Sequence, residues 1–398
     1  MMDPAIRLLR DLVTIDSVNP MLVPGAAGEG AIANAIAAHL REIGLDVEMQ
    51  EAAPGRPNVV GVLEGRAPGR SIMFCGHVDT VGVEGMRAPF DPIERDGRLY
   101  GRGAQDMKSG IAAMIDAARV VAEQGLEAGR LVIAAVVDEE FASAGADALV
   151  TKWRADAAVV TEPTDLEIAV GHKGFAWTEI QTKGRAAHGS RPHDGRDAIV
   201  RMGRVLTALE GLDRTLQAAP PHALLGTASL HASVIHGGRE LSIYPDSCTL
   251  KLERRTLPGE TDADIARELD TLLARLRKAD HEFEASATML FSRPAYEVTA
   301  EHELPRALAQ ARSKAVGRVK ASGREADTRP SFEDPHPPQF VGMSFWTDAA
   351  VLGSVGIPSV LFGPGGAGLH STEEYVNVDD VLMCRETLVA LARDWTSR

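Results

Sequence analysis

The chain is short of cysteine, of positive charge and of long apolar runs, and each shortage closes off a class of protein. Cys75, Cys248 and Cys384 are the only three cysteines in 398 residues. They form no CxxC pair and cannot build a disulfide framework. Lys and Arg number 42 against 56 Asp and Glu, a formal net charge of −14. That balance argues against nucleic acid as a partner, because neutralising phosphates takes clustered basic side chains. No stretch reaches the ~18 uninterrupted apolar residues of a membrane span. The first residues carry Asp3, Arg7, Arg10 and Asp11 in place of the apolar core of a signal peptide. The expectation is a cytoplasmic enzyme with no membrane partner. There is no internal repeat or low-complexity tract, and Gly101-Arg102-Gly103 falls short of a dinucleotide fingerprint.

What remains is ordinary globular material, 44% hydrophobic and 25% charged, in a chain longer than one core usually serves. Residues 29–43 read as a helix that stops at Gly44. Strand-like runs follow at Asn58–Leu63, Ser71–Cys75, Leu131–Val137 and Ala157–Val160. Helical patterns lie between several of them, notably Ser109–Gln124. This alternation predicts an α/β domain with a doubly wound, mostly parallel sheet. Near residue 175 the pattern changes. Ala176–Lys183, Thr227–His236, Asp246–Arg255 and His281–Met289 read as strands, with helices at Gly195–Leu212 and Thr261–Arg277. That β-α-β-β-α-β order predicts a ferredoxin-like α+β insert. The first pattern resumes with Glu303–Ala315, Ser359–Phe362 and Asp379–Asp394, and Ala321–Gln339 reads as a long loop. The expected domains are therefore 1–175 with 293–398, and 176–292 inserted between them.

Acidic and imidazole groups recur where the buried strands of the first domain end. His77 and Asp79 follow Ile72-Met73-Phe74-Cys75, and Asp106 sits in a Gly-rich turn. Glu139 and Glu140 follow Leu131–Val137, Glu162 follows Ala157–Val160, and His370 follows Gly363-Pro364-Gly365-Gly366. Open α/β sheets carry their chemistry at such strand ends. His77, Asp106, Glu140, Glu162 and His370 supply two imidazoles and three carboxylates. Divided between two divalent cations with Asp106 shared, each cation receives one His and two carboxylates, and the charges nearly cancel. Asp79 can accept the other imidazole N–H of His77 and fix its tautomer. Glu139, beside a ligand, is the candidate general base. Cys75 shares a strand face with His77 and reads either as a ligand or, as free Cys usually is, as a small buried apolar residue.

At these residues the chain resembles the M20 metallopeptidase family, in its acetylornithine deacetylase and succinyl-diaminopimelate desuccinylase branch. The motifs that carry the resemblance are Gly76-His77-Val78-Asp79-Thr80-Val81, Gly101-Arg102-Gly103-Ala104-Gln105-Asp106-Met107-Lys108, Asp138-Glu139-Glu140, Thr161-Glu162-Pro163-Thr164 and Leu369-His370-Ser371 with Glu374. The resemblance implies that His77 and Glu162 hold one metal, Glu140 and His370 the other, that Asp106 bridges, and that Glu139 is the acid/base. It implies zinc, with cobalt or manganese as alternatives. It makes the insert a lid and dimerisation domain of a homodimer, through the segment Lys183-Gly184-Arg185-Ala186-Ala187-His188-Gly189-Ser190. His188 is expected to reach the partner subunit's site and steady an oxyanion. Arg255 is expected to grip the substrate carboxylate, with Arg254 taking that part if the alignment slips by one. The implied activity is hydrolysis of the amide of a small N-acyl amino acid, or alternatively that of a dipeptidase or glutamate-type carboxypeptidase on the same scaffold. The chain departs from the family at Gly82, where Pro is usual, and at Phe141-Ala142-Ser143, where a Gly-containing run is usual. Both departures touch pocket shape and remove no ligand.

Overall fold

A computed structural model describes residues 2–321 and 338–397. The chain forms two compact units, one of Met1–Val170, Val298–Val341 and Thr347–Arg398, the other of Gly171–Glu297 and Gly342–Trp346. In chain order the first unit begins with α1 (Pro4–Val13), α2 (Gly30–Glu42), β1 (Asp46–Ala53), β2 (Arg56–Glu64), β3 (Ala67–His77), β4 (Ile93–Arg95) and β5 (Arg98–Tyr100). It continues with α3 (Lys108–Gln124), β6 (Ala128–Val136), α4 (Ala144–Lys152), β7 (Ala157–Val160) and β8 (Ile168–His172), whose end enters the second unit. There follow β9 (Gly174–Lys183), α5 (Ala198–Gln217), β10 (Ser229–Gly237), β11 (Ser247–Thr256), α6 (Asp262–Ala279), β12 (Glu284–Arg293) and β13 (Tyr296–Glu297). The chain then forms α7 (Glu303–Ala321), β14 (Phe340–Met343), α8 (Ala349–Ser354), β15 (Ser359–Leu361), β16 (Gly366–Ala367), β17 (Tyr375–Asn377) and α9 (Val378–Thr396).

The main sheet of the first unit runs β1-β2-β6-β3-β7-β15-β8. Its centre, β6, β3, β7 and β15, is parallel, and its flanks are antiparallel. Ile72–Cys75, Leu131–Val136 and Ala157–Val160 are buried throughout, as strands covered on both faces must be. Gly61, Ile133 and Phe74 share one face by register. On that face a side chain at Gly61 would strike Leu40 of α2, and one at Gly76 would strike Ile111 of α3. On the other face Asn58 donates to the Gly145 carbonyl of α4 at 2.8 Å. Helices therefore clothe both sides, which is the doubly wound arrangement. Because the four central strands run the same way, their C-terminal ends open on one edge. A small sheet, β16-β17-β5-β4, lies in the same unit.

The second unit is a four-stranded antiparallel sheet in the order β10-β11-β9-β12, the ferredoxin-like arrangement. Alternate residues of β11, Cys248, Leu250 and Leu252, pack with Met202, Val205 and Leu209 of α5 and Ile265, Leu269 and Leu273 of α6. The helix expected from Gly195 starts at Ala198 instead. Arg196 pairs back to Arg185 through both main-chain groups at 2.9 Å, and Asp197 caps the helix by accepting from the Val200 N–H. The helix expected over Glu303–Ala315 runs on to Ala321. Of the expected loop Ala321–Gln339, residues 322–337 lie outside the described residues.

Candidate metal centre

The groups of the constellation in the first unit are carried by five separate segments. His77 is the last residue of β3, Glu139 and Glu140 follow β6, Glu162 follows β7, and His370 lies beyond β15. Asp106 precedes α3, and the peptide joining it to Met107 is cis. His77 Nε2 lies 3.1 Å from Asp106 Oδ1, 3.9 Å from Glu162 Oε1 and 4.0 Å from Glu139 Oε2. The second oxygen of Asp106, Oδ2, lies 3.3 Å from His370 Nε2, which in turn lies 3.1 Å from Glu140 Oε2. One carboxylate thus faces an imidazole with each of its oxygens. His370 adopts a left-handed backbone, φ +57°, a conformation that costs a non-glycine residue about 1–3 kcal/mol and tends to persist at functional sites.

The Asp79 carboxylate does different work from that expected. His77 Nδ1 lies 3.0 Å from the Asp79 main-chain oxygen but 3.6 Å from its carboxylate, too long for a hydrogen bond. The carbonyl therefore fixes the tautomer. The carboxylate turns instead to the main-chain N–H groups of Glu139 and Glu140, at 3.1 Å each, and to Asn19 Nδ2 at 2.8 Å. Opposite it, Glu374 is buried and accepts from the N–H groups of Gly103, Gln105 and Asp106 and from Arg102 Nη1. Arg102 Nη2 bonds the carbonyls of Gly82 and Ser371, each at 3.0 Å. The turn bearing Asp106 and the loop bearing His370 are thereby tied to one another.

The charges are at odds with their burial. Burial drives Glu139 and Glu162 well above the carboxylate range, against the pull of His77, and buried Asp348 adds to the rise. Glu140 is raised by burial and by Asp106. Burial opposes the charge on Asp106 too, but hydrogen bonds from His370 and His77 hold its carboxyl below the usual range. His370 is pushed up to about 10 by Asp106 and Glu140. For His77, burial favours the neutral ring, but Asp106 and Asp79 outweigh it and raise the imidazole. Glu140 Oε1 is buried with no hydrogen-bond partner among the described residues. Two triads, His77 with Glu139 and Glu162 and His77 with Asp106 and Glu140, have donor atoms within 4.8 Å of one another. A crowd of carboxylates around two imidazoles, with one oxygen orphaned, fits a pair of divalent cations.

Cys75 is buried on β3 and belongs to neither triad, so the apolar reading of it holds. The remaining expected groups lie in the second unit. His188 is exposed, with Nδ1 2.8 Å from Ser190 Oγ. Arg254 is fully buried and paired with Glu260 and Glu268. Arg255 is part-exposed, bonded to Glu253 at 2.6 Å and lying over the Phe175 ring. Of the two arginines, Arg255 is the one with a free face. Sequence reading passed over Asn19, Arg56, Arg102 and Asp348. Arg102 stands inside a motif already singled out. Arg56 carries no local signal, because its partners are remote in the chain.

A profile of peptidase family M20/M25/M40 matches residues 73–394. An N-formyl-4-amino-5-aminomethyl-2-methylpyrimidine deformylase from Bacillus subtilis is 30% identical over 99% of this chain and 95% of its own length. An acetylornithine deacetylase from Myxococcus xanthus is 32% identical over 88% of each chain. Among solved structures, a tripeptidase from Staphylococcus aureus superposes with a TM-score of 0.79 at 20% identity, covering 99% of this chain and 98% of that one.

Proposed function

Because the chain belongs to peptidase family M20/M25/M40, a family of metal-dependent hydrolases, we propose that it removes a short acyl group from the amine of a small molecule, foremost an N-acyl amino acid. The observation that carries this reading is Asp106, with one oxygen turned to His77 and the other to His370. His77 and Glu162 would hold one divalent cation and Glu140 and His370 the other, with Asp106 placed between the two imidazoles; zinc suits this donor set, with cobalt and manganese as alternatives. When bound, the cations would supply a more acidic water and polarisation of the scissile carbonyl. Glu139 takes the proton of the attacking water and returns it to the departing amine. A carboxyl driven upward by burial suits both halves of that exchange. Asp79 carries the backbone of Glu139, and His77 is steadied by the Asp79 carbonyl.

Arg255 is the proposed grip on a substrate carboxylate and His188 the proposed donor to the oxyanion from a partner subunit. A homodimer through the second unit is supported by β10, an edge strand along which Val234 and Ile235 are exposed. Unprotected apolar edges of that kind are rare in monomers.

The test is a panel of N-formyl, N-acetyl, N-succinyl and N-carbamoyl amino acids, an N-formyl aminomethylpyrimidine and simple dipeptides, read by amine release with and without metal. Turnover of acyl amino acids is expected. Turnover confined to dipeptides would replace the deacylase reading with a peptidase one. Glu139→Gln is expected to cut kcat by about 10²–10⁴-fold, the usual range for general acid–base groups, at normal metal content. Unchanged turnover in that variant would sink the base assignment.

A further inference from the structure

Behind Asp79 runs a file of buried polar groups that the reaction chemistry leaves unused. Asn19 is fully buried. Its one NH₂ group serves two carboxylates, Asp79 Oδ2 at 2.8 Å and Asp138 Oδ1 at 3.1 Å. Asp138 also takes Arg56 Nη2 at 2.8 Å, and Arg56 is gripped through Nε and Nη2 by Glu29, which is wholly buried at the start of α2. On its other side Asp79 holds the N–H groups of both Glu139 and Glu140.

The orientation of the Asn19 amide is fixed by its neighbours. Its Oδ1 accepts the Met21 N–H at 2.9 Å, so its Nδ2 is committed to the carboxylates. Its main-chain N–H bonds the Thr80 carbonyl at 2.9 Å, and the Thr80 N–H bonds the Ser17 carbonyl at 3.0 Å. Loop 17–23 is thus laced to the segment that follows His77. Without the amide, two buried carboxylates would share that space with no donor between them. Like charges so placed repel strongly in a dry interior. Asp79 would swing away, and the two N–H groups it holds belong to adjacent glutamates at the centre.

We propose that Asn19 is a positioning residue for the reaction: the one donor among the described residues that Asp79 and Asp138 share, it sets where Glu139 and Glu140 point. This rests on the hydrolase reading of those two glutamates. Groups that orient metal ligands from behind are typically worth about 10–100-fold in metal affinity or activity.

The variants are Asn19→Asp, which keeps the shape and loses the donor, and Asn19→Ser, which keeps one small donor. Ser71→Ala is the control. It removes a hydroxyl bonded to Asp156 at 2.7 Å, far along β3 from His77. Zinc affinity of the metal-stripped proteins is measured by competition with a chromophoric chelator, kcat and KM on the metal-saturated proteins, and Tm on all. Asn19→Asp is expected to lose about 10–100-fold in zinc affinity and in kcat with KM within about threefold, and Asn19→Ser to fall between it and the wild type. Ser71→Ala should lower Tm alone. If Asn19→Asp does not fold, Asn19→Ser decides the matter. Zinc affinity and kcat both at wild-type levels in folded Asn19→Asp would overturn the proposal; where that variant does not fold, the same result in Asn19→Ser, whose one short hydroxyl cannot serve both carboxylates, does so. A wild-type protein that binds none of zinc, cobalt and manganese and releases no amine from any member of the panel, dipeptides included, would overturn the hydrolase reading, and this proposal with it, so the two failures are told apart.

Discussion

In the metal-free protein the His370 imidazole, set between Asp106 and Glu140, holds its proton up to about pH 10, against an ordinary value of 6.5. Between those values the folded chain binds a proton that the unfolded chain has released. Stability therefore falls as pH rises. Glu139 and Glu162, raised by burial, act in the same sense. Asp79 and Asp106 are held low. Their contribution has the opposite sign, but it is complete above the ordinary carboxyl range and constant from pH 7 to 9. Under the proposed assignment His370 and Glu162 bind metal only when deprotonated, so metal binding would strengthen over the same interval. Buried Lys108, lowered to about 7, opposes the fall in stability over the same interval, so the expected change lies in the metal's contribution: the gap in Tm between chelator-treated and zinc-loaded protein should widen from pH 7 to 9. Calorimetry at three pH values checks this, and a gap that narrows would show that these groups do not bind the metal. Each of these side chains could be picked out of the sequence, because a charge at the end of a buried strand or beside a glycine-rich turn needs a reason. What Asp79 holds could not, since the carboxylate answers to N–H groups about sixty positions away.

Helix α3 sits on the end of β7 at a glycine. A side chain at Gly110 would fall well inside contact of the Thr161 carbonyl oxygen, and Thr161 immediately precedes Glu162. Two effects of Gly110→Ala compete. Alanine favours the helix by about 1 kcal/mol over glycine. Overpacking a rigid interior costs about 1–3 kcal/mol, and the atom struck here is main chain that cannot rotate aside. Packing should win, so Tm is expected to fall, and zinc affinity with it as Thr161 and Glu162 are displaced. A Tm above wild type would show that the strand end yields. The elements themselves were largely legible. Apolar runs gave β3, β6 and β7, and the period of apolar positions gave α2 and α3. Their ends were less so, because caps such as Asp197 and pairings such as Arg185 with Arg196 decide them. The small sheet of β4, β5, β16 and β17 went unread, since strands of two or three residues carry no period.

The change of pattern near residue 175 carried the α+β insert because alternation over eight or more residues distinguishes half-exposed strands from buried parallel ones. What covers the open edge of that sheet is a further matter. Val234 and Ile235 on β10 and Ile199, Leu241 and Ile243 around it are exposed apolar residues, and Gly237 at the end of β10 abuts Ile199. A second copy pairing there would bury all of them. Ile235→Lys should then convert a species of twice the 42.4 kDa chain mass to a monomer in sedimentation, with metal content unchanged and turnover nearly lost. If His188 serves the partner's site, His188→Ala and Glu139→Gln chains are each inactive alone but complement when mixed. Half of randomly reassembled dimers are then mixed, and each has one intact site of two, which restores about a quarter of wild-type turnover in a symmetric dimer. If His188 acts within its own chain, mixing restores nothing, because each chain still lacks one of the two groups at its own site.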